Sequence, residues 1–93
     1  MSQYLKDNES FTLKYPREIE GRRYESLTLR RPLVEDFLVL DEMSGTERQK
    51  EVFFQANLAS VAPGVIKKLD YVDQVRLTTR LNSVFLEQAE MDK

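Results

Sequence analysis

The chain contains no cysteine and no histidine. Without cysteine there is neither a disulfide framework nor a thiolate metal site, and nothing calls for an oxidising compartment. Without histidine the commonest general base and the commonest transition-metal ligand are both missing. Glycine is scarce too: three residues, widely separated, form no phosphate-cradling loop. Nucleophilic catalysis would have to run on serine or threonine without an imidazole base, and acid–base chemistry on carboxylates or lysines alone. The expectation is a protein that is not an enzyme and carries no metal or cofactor. No apolar run approaches the ~18 residues of a transmembrane helix. The opening Met1 to Asp7 lacks the continuous apolar segment of a signal peptide. A cytoplasmic protein with no membrane contact is expected.

What is present is a chain of 93 residues, 41% of them hydrophobic, which points to one compact domain rather than to disorder. Residues 1–9 read as a flexible N-terminus, 10–88 as the single domain and 89–93 as a frayed C-terminus. The net charge of −2 is unevenly spread. Residues 1–31 hold seven Lys/Arg against five Asp/Glu, while residues 32–93 hold seven against eleven.

Residues Ser10 to Tyr15 alternate, with Phe11, Leu13 and Tyr15 on one face, as in a half-buried strand that Pro16 ends. After a turn at Glu20-Gly21-Arg22, Tyr24 to Leu29 alternate again with Leu27 and Leu29 on one face. The two runs predict an antiparallel hairpin with a rather long connection, its apolar face lying on helices. Pro32 suits the first position of a helix running to Met43, followed by acidic residues in the first turn. Leu33, Val34, Phe37, Leu38 and Leu40 fill one broad side of it and Val39 and Met43 the other, which predicts a helix covered on most sides. A second helix is expected from Thr46 to Ala62, opened by a capping box of either Ser44 with Glu47 or Thr46 with Gln49. Pro63-Gly64 breaks the chain, Gly64 to Leu69 form a short helix, and Asp70 caps a last helix reaching Gln88. Its apolar side is Val75, Leu77, Leu81, Val84 and Phe85. The fold class is α+β: an N-terminal antiparallel β-hairpin packed on about three α-helices.

Three features bear on function. The acidic pairs Glu35-Asp36 and Asp41-Glu42 supply oxygen ligands of the kind Mg²⁺ takes, but a helix N-terminus and a solvated face explain them better. Arg17, Arg22, Arg23, Arg30 and Arg31 interleave with Tyr15 and Tyr24, as in a nucleic-acid-binding hairpin. Glu18, Glu20 and Glu25 offset them, so the counterion-release term is small and nucleic acid is a poor partner. Phe53 and Phe54 lie about 100° apart on a helix, so both are buried only where two surfaces meet it. They are core residues or the anchors of a partner interface, and they are the candidate partner-binding residues here. The surplus apolar surface of the first two helices points to self-association or to a hydrophobic client.

The segment Leu29-Arg30-x-Pro32-x-Val34-x-Asp36 and the later Val61-x-Pro63-x-x-Ile66-x-x-Leu69-Asp70-x-x-Asp73-x-x-x-Leu77, closing near Phe85-Leu86, resemble the tail assembly chaperones of contractile-tailed phages and related prophages. The resemblance covers residues 10–87. It implies a non-enzymatic protein that binds the long, hydrophobic tape measure protein during tail morphogenesis. It also implies action in the host cytoplasm, absence from the mature virion, and in many phages a longer frameshifted form as a companion. A homo-oligomer is a further possibility. A small nucleic-acid-binding or regulatory phage protein, or a structural tail component, is the alternative. No catalytic residue is carried over. Arg30, Pro32, Asp36, Asp70 and Asp73 read as helix openings and caps.

Overall fold

The computed structural model describes the backbone of residues 8–91 and the side chains of residues 8–83. Strands β1 (Asn8–Ile19) and β2 (Arg22–Arg30) form an antiparallel hairpin, followed by helices α1 (Val34–Glu42), α2 (Glu47–Ala59), α3 (Pro63–Lys67) and α4 (Tyr71–Met91). The α+β class and the hairpin-then-helices order are as expected, with α3 as the short helix. The ends of α4 beyond residue 83 carry Val84 and Phe85, which lie outside the described side chains.

The hairpin departs from expectation in two ways. Its connection is tight: Ile19 pairs with Arg22, and only Glu20 and Gly21 turn the chain. Both have positive φ, 52° and 80°, as the two-residue turn that matches strand twist requires. Pro16 does not end β1 either. Pairing runs regularly from Asn8↔Arg30 to Thr12↔Ser26 and resumes at Arg17↔Tyr24, so Leu13 to Pro16 stand opposite Glu25 alone. Proline is tolerated inside a strand at such an irregularity, where no ladder N–H is asked of it. The bend also turns Tyr15 outward, leaving it exposed rather than beside Phe11 and Leu13.

A bulge leaves backbone donors without ladder partners, and here a side chain from α4 takes them. The fully buried Asp73 carboxylate accepts the Lys14 N–H at 2.8 Å and the Tyr15 N–H at 2.9 Å. Arg76, one turn further along α4, bonds the same carboxylate, donates to the Thr12 carbonyl at 3.3 Å and lies over the Phe11 ring. Asp73 therefore joins α4 to β1 rather than serving its own helix terminus, the role expected of it. Asp70 does cap α4, accepting the Val72 N–H at 2.9 Å.

The core lies between one face of the hairpin and three helices. Phe11, Leu13, Ile19, Leu27 and Leu29 meet Ala56, Leu58 and Ala59 of α2, Val65 and Ile66 of α3, Leu69, and Leu77 and Leu81 of α4. Full burial of a leucine such as Leu29 or Leu58 stabilises by about 1.5–3 kcal/mol. Between α2 and α4 the contact is polar. Buried Gln55 donates to Thr78 Oγ1 at 2.8 Å, and Gln74 donates to Gln55 Oε1 at 3.1 Å and to Glu51 at 3.0 Å. These mutual bonds let two amides sit where the helix pattern predicts apolar residues.

The second helix is shorter than expected. Thr46 and Gln49 make the reciprocal capping bonds at 3.1 and 2.8 Å, which settles the choice against Ser44 with Glu47. Ser60 takes a left-handed φ of 57°, and Val61 N–H returns to the Ala56 carbonyl, closing α2 at Ala59. Pro63 then sits at the first position of α3.

Burial raises the cost of ionising Asp73, but the Lys14 and Tyr15 N–H groups and Arg76 together outweigh it and hold the carboxyl below the ordinary aspartate value. A depressed folded pKa gives stability that is full above the unfolded value of about 3.9 and is lost as pH falls through the folded value. Asp73→Ala should cost about 2–4 kcal/mol, since it orphans two N–H groups and a guanidinium. Asp70→Ala should cost about 1 kcal/mol. Urea titration of both variants at neutral pH checks the order, and equal losses would contradict the assigned roles.

Candidate functional site

The first helix is where the structure and the pattern disagree most. It contributes no side chain to the apolar core, and its one buried residue is an acid, Asp36, at 5% exposure. The expectation that it is covered on most sides is overturned. Leu33, Val34, Phe37, Leu38 and Val39 are all exposed, Val34 at 76% and Leu38 at 56%.

A charge pair holds α1 in this orientation. Arg30, the last residue of β2, donates from Nη1 and Nη2 to the two oxygens of Asp36 at 2.9 and 2.8 Å. Arg30 Nη1 also bonds the Arg31 carbonyl at 3.0 Å. Asp36 accepts the Leu33 N–H at 2.7 Å, so the carboxylate fixes both the strand end and the first turn. The helix begins at Val34 with Leu33 as its N-cap, which places Pro32 just before the helix and not at its first position. The bidentate geometry is the strong form of such a pair. Arg30 holds the Asp36 carboxyl below the ordinary aspartate value against the opposing effect of burial, with the Leu33 N–H assisting. The same bond holds the Arg30 guanidinium above its ordinary value.

Successive helix residues turn about 100°. Val34 and Leu38 accordingly lie about 160° to either side of Asp36, at the pole opposite the anchor. Phe37 turns toward α2, where its ring meets Phe54 with centroids 4.9 Å apart at a tilt of 42°. A groove of about 520 Å³ runs between the two helices, lined by Phe37, Leu40, Asp41, Arg48, Glu51 and Phe54 among others. Phe53 and Phe54 are both half-buried, and Phe54 packs against the core as well as on Phe37. Of the candidate pair, Phe54 therefore borders an exposed apolar face whose principal residues lie on α1, while Phe53, about 100° round the helix, does not line this groove.

Other chemistry has little support from the geometry. Among the described residues no three His, Cys, Asp or Glu side chains are grouped as a metal site requires. Asp36, one of the acids weighed as a Mg²⁺ ligand, is committed to Arg30. On the hairpin, Arg23 pairs with Glu25 at 2.8 Å and Arg22 lies over the Tyr24 ring. Among the described residues no helix is long and apolar enough to cross a membrane.

The sequence model of a family described as phage tail assembly chaperone proteins, E, or 41 or 14, matches residues 10–86, most of the chain. No curated protein and no solved structure matches it.

If Asp36 anchors α1, Asp36→Ala should release this helix while the hairpin core persists. A nine-residue helix is marginal alone. Amide exchange over residues 34–42 should then accelerate with that of 24–29 unchanged. In the wild type the same release should follow as pH falls below the unfolded aspartate value of about 3.9 toward the lower folded value. Unaltered exchange in α1 would remove the anchor role.

Proposed function

The chain belongs to the family of phage tail assembly chaperone proteins, and on that premise we propose that it binds the tape measure protein and keeps it soluble until the tail tube forms around it. The observation that supports this is the outward apolar face of α1, with Phe54 beside it. Exposed apolar surface rimmed by polar groups marks an interaction site. Apolar burial is non-directional, so one face accepts many similar segments of a long client. The work is done by binding without catalysis, in the host cytoplasm, and the protein leaves before the virion is complete. A longer frameshifted form carrying the same domain would present the same face. Pairing of hairpin arginines with neighbouring acids and rings weighs against nucleic acid as the partner.

Co-expression with the tape measure protein of the same phage should move that protein into the soluble fraction. The complex should survive purification at about 1 M salt, where exposed charge pairs are screened within about 3 Å. A client that stays insoluble with or without this chain, together with salt-sensitive binding of DNA or RNA by the chain, would replace the chaperone reading with the nucleic-acid one.

A further inference from the structure

We propose that the outward face of α1 is a docking ridge for an amphipathic helix whose apolar stripe is flanked by lysine or arginine. The proposal rests on the chaperone reading only for the client's identity; the surface and the chemistry of its occupant come from the geometry of α1 and the groove beside it.

The ridge is Val34 and Leu38, one helical turn apart and at the pole opposite Asp36. Phe37 descends from it into the groove, where Leu40 and Phe54 complete an apolar floor. A ridge one turn long beside a groove between two helices fits the side chains of one helix spaced three and four residues apart. The charges choose among such helices. The sequence of α1, Val-Glu-Asp-Phe-Leu-Val-Leu-Asp-Glu, has four acids and no base. Arg30 neutralises Asp36 and is also near Glu35, which shares a cavity with Arg30 and Arg31, so Asp41 and Glu42 carry most of the border's negative charge. At about 100° per residue, Asp41 falls about 20° beyond Val34, while Glu42 and Glu35 fall about 40° and 60° beyond Leu38. Acids therefore border the ridge on both sides. From α2, Glu47, Arg48, Lys50 and Glu51 face the groove, a balanced set in which Arg48 is turned to Glu51 at 3.8 Å and to the Tyr71 ring.

This border disfavours a second copy of the chain as occupant. A two-fold contact sets the same patch against itself, so the acids beside Val34 and Leu38 would meet their own counterparts. Opposed like charges at an interface suppress that pairing. A partner helix with basic flanks gains where a second copy loses.

The test uses two synthetic 18-residue helical peptides with the same leucine stripe, one flanked by lysines and its twin by glutamates, titrated against the full chain by fluorescence anisotropy. The lysine peptide should bind about tenfold more tightly at low salt, and the gap should narrow at 1 M salt while binding persists. V34S/L38S, altered only at exposed positions, should weaken binding at least tenfold with an unchanged melting curve. E35K/E42K should reverse the preference between the peptides. Equal affinity for both peptides overturns the charge assignment. Undiminished binding by V34S/L38S overturns the ridge, as does a wild-type dimer in sedimentation that those substitutions dissociate. Co-expression with the tape measure protein separates this from the chaperone reading. A client kept soluble equally by wild type and V34S/L38S retains the chaperone and rejects the ridge. A client never made soluble, with the peptides behaving as expected, retains the ridge and rejects the client.

Discussion

The Arg30–Asp36 pair determines what this protein presents to its surroundings. A nine-residue helix rich in valine, leucine and phenylalanine would ordinarily pack with its apolar side inward. Here the inward-facing residue is a carboxylate, fixed by two guanidinium bonds and the Leu33 N–H. Once that pole is set by the charge pair, helix geometry sends Val34 and Leu38 outward. Removing one partner of such a pair leaves an uncompensated charge at a mostly buried position, which is why the arrangement resists reversal. The apolar exposure of α1 is a consequence of its anchor, and the proposed interaction surface follows from it.

A second carboxylate does parallel work in the body of the domain. Asp73 supplies the acceptors that the bulged β1 lacks, and through Arg76 it ties α4 to Thr12 and Phe11. A two-stranded hairpin is marginal alone. This one is held by apolar burial on one face and by an acid that completes the backbone bonding where the ladder breaks. The polar seam of Gln55, Gln74, Thr78 and Glu51 then fixes how α2 and α4 meet. The body so formed leaves α1 outside the apolar core, held by Arg30 on Asp36 and by Phe37 on Phe54.

Much of the fold was legible in the sequence because two periodicities are clear in it. Alternation at Phe11-Leu13 and Leu27-Leu29 marks the inner face of the hairpin, and Asp70 and Leu77 mark where α4 begins and what it buries. Pro63, read as part of a chain break, is the first residue of an α3 that ends at Lys67 rather than Leu69. What escaped has physical causes. Pro16 reads as a strand end because nothing local announces a bulge, whose donors are satisfied 58 and 59 residues away. Glu20 at positive φ is set by the pairing of its neighbours and not by its own preference. The overfilled pattern of α1 implies burial unless one knows that Arg30 reaches Asp36 across six residues and a change of structure. Phe53 and Phe54 stood out as adjacent aromatics; both are half-buried, and Phe54 is the one whose ring meets α1. Val34 and Leu38 did not stand out, although an acid sharing a helix with apolar residues on every side, just after an arginine, was the available signal.

A family of assembly chaperones must expose apolar surface without precipitating, and the distribution of charge in α1 meets that need. On the proposed reading, the acids bordering Val34 and Leu38 would keep copies apart while the ridge between them stays open to a client. Amide hydrogen exchange of the chain, free and in complex with the tape measure protein, tests this most directly. Protection gained over residues 33–43, with the outer face of the hairpin unchanged, is the expected result. Protection confined to the hairpin, with α1 exchanging as it does in the free chain, would contradict it.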